Sequence, residues 1–83
     1  MKIAFKLFAS LTDYLPAERK GNRVDLEVEP GTTVADLIAR YGVPERSAHL
    51  VLVNGVFVPP AERASRALAE RDELAIWPPI AGG

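Results

Sequence analysis

Arg23-Val-Asp-Leu-Glu-Val-Glu-Pro-Gly-Thr-Thr-Val-Ala-Asp-Leu-Ile-Ala-Arg-Tyr-Gly42 changes its hydrophobic period once, at Pro30-Gly31, and that change decides the fold class. Before the break, charged residues alternate with Val24, Leu26 and Val28, the two-residue period of a strand with one face buried and one in water. After it, Val34, Leu37, Ile38 and Tyr41 follow the i, i+3, i+4, i+7 spacing of a helical stripe. Thr33 with Asp36 three residues on is a capping-box signal, Asp standing where Glu is commoner. Gly42 supplies a left-handed cap and Pro44 prevents continuation, so the spacing predicts a helix over about 34–41.

Working outward, residues 2–9 place Ile3, Phe5 and Leu7 on one strand face and Phe8 on the other. Leu11, Tyr14 and Leu15 are spaced to lay a short helix on the core before Pro16. Leu50-Val-Leu-Val53 is a strand that ends at Asn54-Gly55, the strongest short hairpin signal, and returns as Val56-Phe-Val58 until Pro59-Pro60. Residues 61–71 read as a loop with some helix, Leu68 its single large apolar residue. Glu73-Leu-Ala-Ile-Trp77 is a last strand, with Leu74 and Ile76 opposite Trp77, closed by Pro78-Pro79. Strand, strand, helix, strand, strand, strand predicts an α+β mixed sheet with one main helix packed across one face. Residues 1–83 are expected to form one domain, with 78–83 a flexible tail.

Composition narrows the chemistry. Ten Lys plus Arg against eleven Asp plus Glu give a net charge of -1, with no basic excess to follow a phosphate backbone, so nucleic acid is not an expected partner. No apolar run approaches the ~20 residues that span a bilayer, which leaves no membrane role and a cytoplasmic location as the expectation. Cysteine is absent and His49 is the single histidine; thiol nucleophiles, cysteine-ligated zinc and iron–sulfur clusters are thereby excluded, and no bound metal or cofactor is expected. His49 has no ligand-spaced partner and reads as an ordinary residue. Asn54-Gly55 reads as a turn. Arg63, Arg66 and Arg71 beside Glu62, Glu70 and Asp72 read as a solvated charged segment. Nothing distinguishes Lys2, Lys6 or Lys20 as a base.

The element order, the Ile3–Ala9 opening, the Val53-Asn54-Gly55 turn, the Asp72-Glu73-Leu74 strand start and the Pro78-Pro79-Ile80-Ala81-Gly82-Gly83 ending together resemble the MoaD/ThiS sulfur-carrier family over the whole chain. The ending is the specific part, and its Pro-Pro-x-x-Gly-Gly form is most similar to the molybdopterin synthase small subunit. Two departures stand out: Arg71 occupies a position where the family usually has Gly before Asp, and residues 60–67 form a longer stretch than usual.

The resemblance implies a ubiquitin-like β-grasp fold and a carrier that is not catalytic alone. In the family, an E1-like adenylyltransferase of the MoeB/ThiF type activates the terminal carboxylate with ATP, and a sulfur donor such as a cysteine desulfurase or rhodanese converts it to a thiocarboxylate. Gly83 would carry that group, with ATP bound by the partner, since this chain has no phosphate-binding glycine motif. The sulfur would then enter a molybdopterin synthase large subunit of the MoaE type. Supply to thiamine or to tRNA thiolation, and conjugation to lysines as a protein modifier, use the same activated end and remain alternatives.

The residues explain why such chemistry takes this form. An α-carboxyl titrates near 3.3–3.7 and is ionised at neutral pH. Gly82 and Gly83 lack Cβ atoms and fit a narrow channel, while Pro78 and Pro79 have no N–H to pair and favour extended geometry, which launches Ile80 and Ala81 away from the sheet. Six residues reach at most ~20 Å. Parity places Phe8, Phe57 and Trp77 on the sheet face away from the helix, where the resemblance implies apolar contact with the large subunit.

Overall fold

The computed structural model describes residues 1–80; Ala81, Gly82 and Gly83 lie outside the described residues. Five strands, β1 (Lys2–Leu7), β2 (Arg23–Glu27), β3 (Leu50–Val53), β4 (Val56–Phe57) and β5 (Glu73–Trp77), form one sheet in the order β2-β1-β5-β3-β4. β1 and β5 lie parallel at its centre, with Phe5 opposite Leu74 and Leu7 opposite Ile76, and every other pairing is antiparallel. The helix α1 (Val34–Arg40) connects β2 to β3. This is the β-grasp arrangement, with the ends of the chain meeting in its two middle strands.

β1, β2, β3 and β5 deliver alternate residues to the helix side, which is why the sheet has one dry face, whereas both residues of the edge strand β4 are exposed. Ile3, Phe5, Leu7, Val24, Val51, Val53, Leu74 and Ile76 are buried together with Val34, Leu37 and Ile38 of α1. Tyr41 adds its ring to that of Phe5, the centroids 5.2 Å apart. The segment between β1 and β2 forms a 3-10 helix, Ala9–Tyr14, that buries Leu11, and Leu15 beyond it is buried as well, whereas Tyr14 stays exposed. β1 stops at Leu7: the Phe8 N–H makes the last bond to β5, donating to Ile76 O at 3.1 Å, and Ala9 then turns to φ 52°.

Both ends of α1 are satisfied. Thr33 Oγ1 accepts from Asp36 N at 3.1 Å and Asp36 Oδ2 accepts from Thr33 N at 2.9 Å, the reciprocal capping box. Val34 N and Ala35 N donate to Arg66 O and Arg63 O at 3.0 and 2.9 Å, so the long 60–71 segment supplies what the first turn of the helix lacks. At the other end Gly42, at φ 73°, donates to Ala39 O and Val43 N donates to Ile38 O, the paired bonds of a Schellman cap whose apolar contact is Ile38 with Val43.

The backbone N–H and hydroxyl of Thr33, then the charge of Arg40, hold the Asp36 carboxyl below its ordinary value of 3.8. A carboxyl depressed on folding stabilises the native state above its unfolded pKa and loses that contribution as pH falls through its folded value. The melting temperature of Asp36→Asn should therefore fall below wild type at pH 6, and the gap should close as pH drops below 3.8. A gap constant with pH would show that the carboxylate contributes nothing through its charge.

Two turn residues carry left-handed backbone. Asn54 and Gly55, at φ 51° and 81°, make the tight β3–β4 hairpin as the dipeptide predicts. Asn54 does more than turn: its Nδ2 donates to Asp72 Oδ1 at 2.8 Å and its Oδ1 accepts from Glu73 N at 2.9 Å, tying the hairpin to the start of β5. Asp72 also accepts from Ala69 N at 2.8 Å through Oδ2 and is buried.

Arg71, immediately before it, sits at φ 68° with its N–H on Lys2 O at 2.7 Å. A left-handed conformation costs a non-glycine residue about 1–2 kcal/mol, whereas glycine adds about 0.5–1 kcal/mol of unfolded-state entropy. Arg71→Gly is expected to gain about 0.5–1 kcal/mol net, or ~2–8 °C in Tm for a domain of this size. A lowered Tm would mean that the arginine side chain contributes more than its backbone conformation costs.

The structure corrects the reading of Arg63 as part of a solvated segment. It is 6% exposed, and its guanidinium donates to three backbone carbonyls: Ala48 O at 2.6 Å through Nη1, Val58 O at 3.3 Å through Nε and His49 O at 3.3 Å through Nη2. Burial lowers its pKa and nearby Glu45 opposes the shift. A delocalised, weakly hydrated cation with planar donors is the charged side chain best suited to such a place.

Candidate functional site

The open face of the sheet follows from register. Lys6 opposes Ala75, Ala75 opposes Leu52 and Leu52 opposes Phe57, so these four form one row across β1, β5, β3 and β4. Leu50 opposes Trp77 in the next row, and Phe8 joins it from beyond the end of β1. Phe8 and Trp77 stack with ring centroids 4.1 Å apart and planes 6° from parallel. Both are half-buried, largely against one another, while Phe57 is 51% and Leu50 38% exposed.

The three aromatics singled out in the sequence therefore share this face, Phe8 and Trp77 as a stacked pair and Phe57 separately on the edge strand. Leu50 and Leu52, which bridge the two positions, were not among the predicted site residues. A signal for them exists: Leu50-Val-Leu-Val53 is apolar at every position, the pattern of a strand with both faces covered, and the helix covers just one. Toward β2 the same face turns polar, with Lys6 Nζ 3.0 Å from Glu73 Oε1 and Arg23 Nη2 3.1 Å from Asp25 Oδ1.

β5 ends within this apolar half. Trp77 O accepts from His49 N at 3.1 Å, after which Pro78 is half-buried and Pro79 and Ile80 are exposed, Ile80 at 84%. The predicted Ala81, Gly82 and Gly83 lie outside the described residues, so the structure gives the position from which the ending departs. The His49 side chain is exposed. Among the described residues no three His, Cys, Asp or Glu side chains are grouped to hold a metal ion, and no helix is long and apolar enough to cross a membrane.

The site is thus an apolar sheet face with a proline-led ending at its margin. Known proteins agree with the architecture. The chain is similar in structure to SAMP1 from Haloferax volcanii, with 28% sequence identity, complete coverage of both chains and a TM-score of 0.67. A putative molybdopterin converting factor subunit 1 from Pyrococcus furiosus superposes with a TM-score of 0.67 at 21% identity, covering 95% of this chain and 98% of that one. A structure of the complex of subunits 1 and 2 of molybdopterin-converting factor from Helicobacter pylori matches with a TM-score of 0.61 at 14% identity, both chains covered in full. The last two, at such identities, speak for the fold alone. A comparison with curated protein sequences finds no match. The ThiS family model, however, matches residues 6–83, from the middle of β1 through the Gly-Gly ending, and with sheet order, helix and ending in agreement this chain belongs to the ThiS family of ubiquitin-like sulfur carriers.

Proposed function

We propose that the protein carries sulfur as a thiocarboxylate on Gly83 and delivers it to a molybdopterin synthase large subunit. The observation that carries this reading is the departure of the chain end from β5, through Pro78-Pro79, at the margin of the open apolar face. A partner that docks on Phe8, Phe57 and Trp77 is thereby placed to receive Ile80, Ala81 and the two glycines. In the first step a carboxylate oxygen of Gly83 attacks the α-phosphorus of ATP on an E1-like partner and pyrophosphate leaves. The outer sulfur of a donor persulfide then attacks the acyl carbon and AMP leaves, giving an acyl disulfide; a second partner thiol attacks the donor's cysteine sulfur, forming a disulfide there and releasing the thiocarboxylate on Gly83. The carrier contributes the terminal group and the docking surface; ATP and the catalytic residues belong to the partners.

Incubation with the activating enzyme, ATP and a sulfur source should replace one oxygen by sulfur in the intact mass, located to Gly83 by fragmentation. An unchanged mass with the pathway's own enzyme would sink the proposal. A second reading has one observation in its favour: another solved structure similar to this chain is that of H. volcanii small archaeal modifier protein 1, at 27% identity with 95% of this chain covered. In that case Gly83 forms an isopeptide bond with a target lysine, and the same activation assay with cell extract yields, on tryptic digestion after Arg71, lysines that carry the Asp72–Gly83 remnant.

A further inference from the structure

The carrier reading gives the chain end its chemistry but leaves open what aims it. Pro78 and Pro79 have no N–H groups, so past Trp77 the backbone has two fewer donors with which to hold a direction. Among the described residues the last backbone hydrogen bond before the ending is made by the Trp77 carbonyl. That carbonyl accepts from His49 N at 3.1 Å. The N–H belongs to the Ala48–His49 peptide unit, and the carbonyl of the same unit, Ala48 O, accepts from Arg63 Nη1 at 2.6 Å. One peptide plane is thus gripped on both sides, by a buried cation at its oxygen and by the root of the chain end at its nitrogen. A charge-assisted bond to the carbonyl polarises the amide and strengthens the bond its N–H donates. Arg63 Nη2 to His49 O, at 3.3 Å, fixes the next plane as well, and Nε to Val58 O, at 3.3 Å, anchors the guanidinium to the residue after β4. Its backbone is fixed independently, since Arg63 O accepts from Ala35 N in the first turn of α1.

We propose that Arg63 is a positioning residue for the chain end: through the Ala48–His49 peptide it holds the Trp77 carbonyl and so sets the direction in which Pro78-Pro79-Ile80 leaves the domain. The consequence for transfer rests on the sulfur-carrier reading; the geometric half does not. Arg63 lies behind the sheet, away from the open face on which Phe57 and Trp77 sit, so its loss should spare docking while misdirecting the end. In kinetic terms that is a fall in kcat with KM for the carrier unchanged.

The absence of native cysteine allows a single spin label at Ile80→Cys. In the otherwise wild-type chain, paramagnetic broadening of amide signals should fall on one bounded set of residues. In Arg63→Leu it should spread to further amides and weaken at least twofold on the original set, and Arg63→Lys, which keeps the charge but not the planar fork, should lie between and serves alone if the leucine variant does not fold. Val24→Ala, a destabilised core variant on the edge strand β2, which β1 separates from β5, should keep the wild-type map and so separates direction from stability. In activation assays on unlabelled chains below their melting temperatures, Arg63→Lys and Arg63→Leu should lower kcat about tenfold with KM within twofold. An unchanged map in folded Arg63 variants overturns the inference, as does a spread map with unchanged kcat. Failure of the wild-type chain to acquire sulfur sinks the carrier reading instead, and the labelling map still decides whether Arg63 directs the end.

Discussion

Deleting Gly83 is expected to abolish thiocarboxylate formation, by at least ~10²-fold in rate, while leaving the melting temperature within experimental error of wild type. The reacting carboxylate would then sit on Gly82, about 3.3 Å short of its place along an extended chain, and misplacement of a reacting group by even 1 Å can cost ~10²-fold. Adding a residue should be as damaging as removing one, because on the carrier proposal the partner reads distance from the docked domain. Stability should be spared because the buried core lies within Ile3–Ile76. Intact-mass spectrometry after incubation with activating enzyme, ATP and sulfur source reads the first part, and thermal unfolding the second. Sulfur on the shortened chain at wild-type rate would show that the terminus is not read by position, and a collapse in Tm would give the ending a structural role instead.

The second large effect concerns the open face. Phe57→Ala and Trp77→Ala are each expected to weaken binding to a molybdopterin synthase large subunit by ~2 kcal/mol, about thirtyfold in Kd, as exposed aromatic anchors do. Their folding costs should differ. Phe57 is half exposed on a two-residue edge strand, so its truncation removes little packing. Trp77 lies on Phe8, and losing a stacked aromatic pair costs about 0.5–1.5 kcal/mol beyond area, still below the ~3–5 kcal/mol of a core aromatic. Titration calorimetry against the large subunit, with Tm measured alongside, separates docking from packing. Wild-type affinity in a folded double variant would remove this face from the mechanism.

Much of this was legible because it is local. The alternation of Arg23–Glu29 and the stripe from Val34 to Tyr41 each answer to a period set by backbone geometry, so β2 and α1 fell within a residue or two of where the spacing predicted. Thr33 and Asp36 form the capping box that their spacing announced. Strand parity put Phe8, Phe57 and Trp77 opposite the buried residues, since a side chain in a strand has two faces to choose from and the core claims one. Residues 9–14 were harder, because a 3-10 helix has no apolar stripe of its own length and its form is dictated by Leu11 and Leu15 finding the core.

What the sequence by itself determined is therefore the elements, the sheet face each residue occupies and the Pro-Pro-x-x-Gly-Gly ending on which the carrier proposal rests, all properties of residues near one another along the chain. Only the tertiary structure decided which strands lie side by side, and with that the joining of Phe8 to Trp77 across 69 positions and the continuity of Leu50, Leu52 and Phe57 into one face. It alone decided Arg63 too. The partners of that guanidinium are carbonyls 5, 14 and 15 residues away, and a carbonyl is present at every position, so no residue type or spacing marks the ones a buried cation will find. Among the alternating charges of residues 61–72, the arginine that is buried differs from those left in water only by where the fold places it.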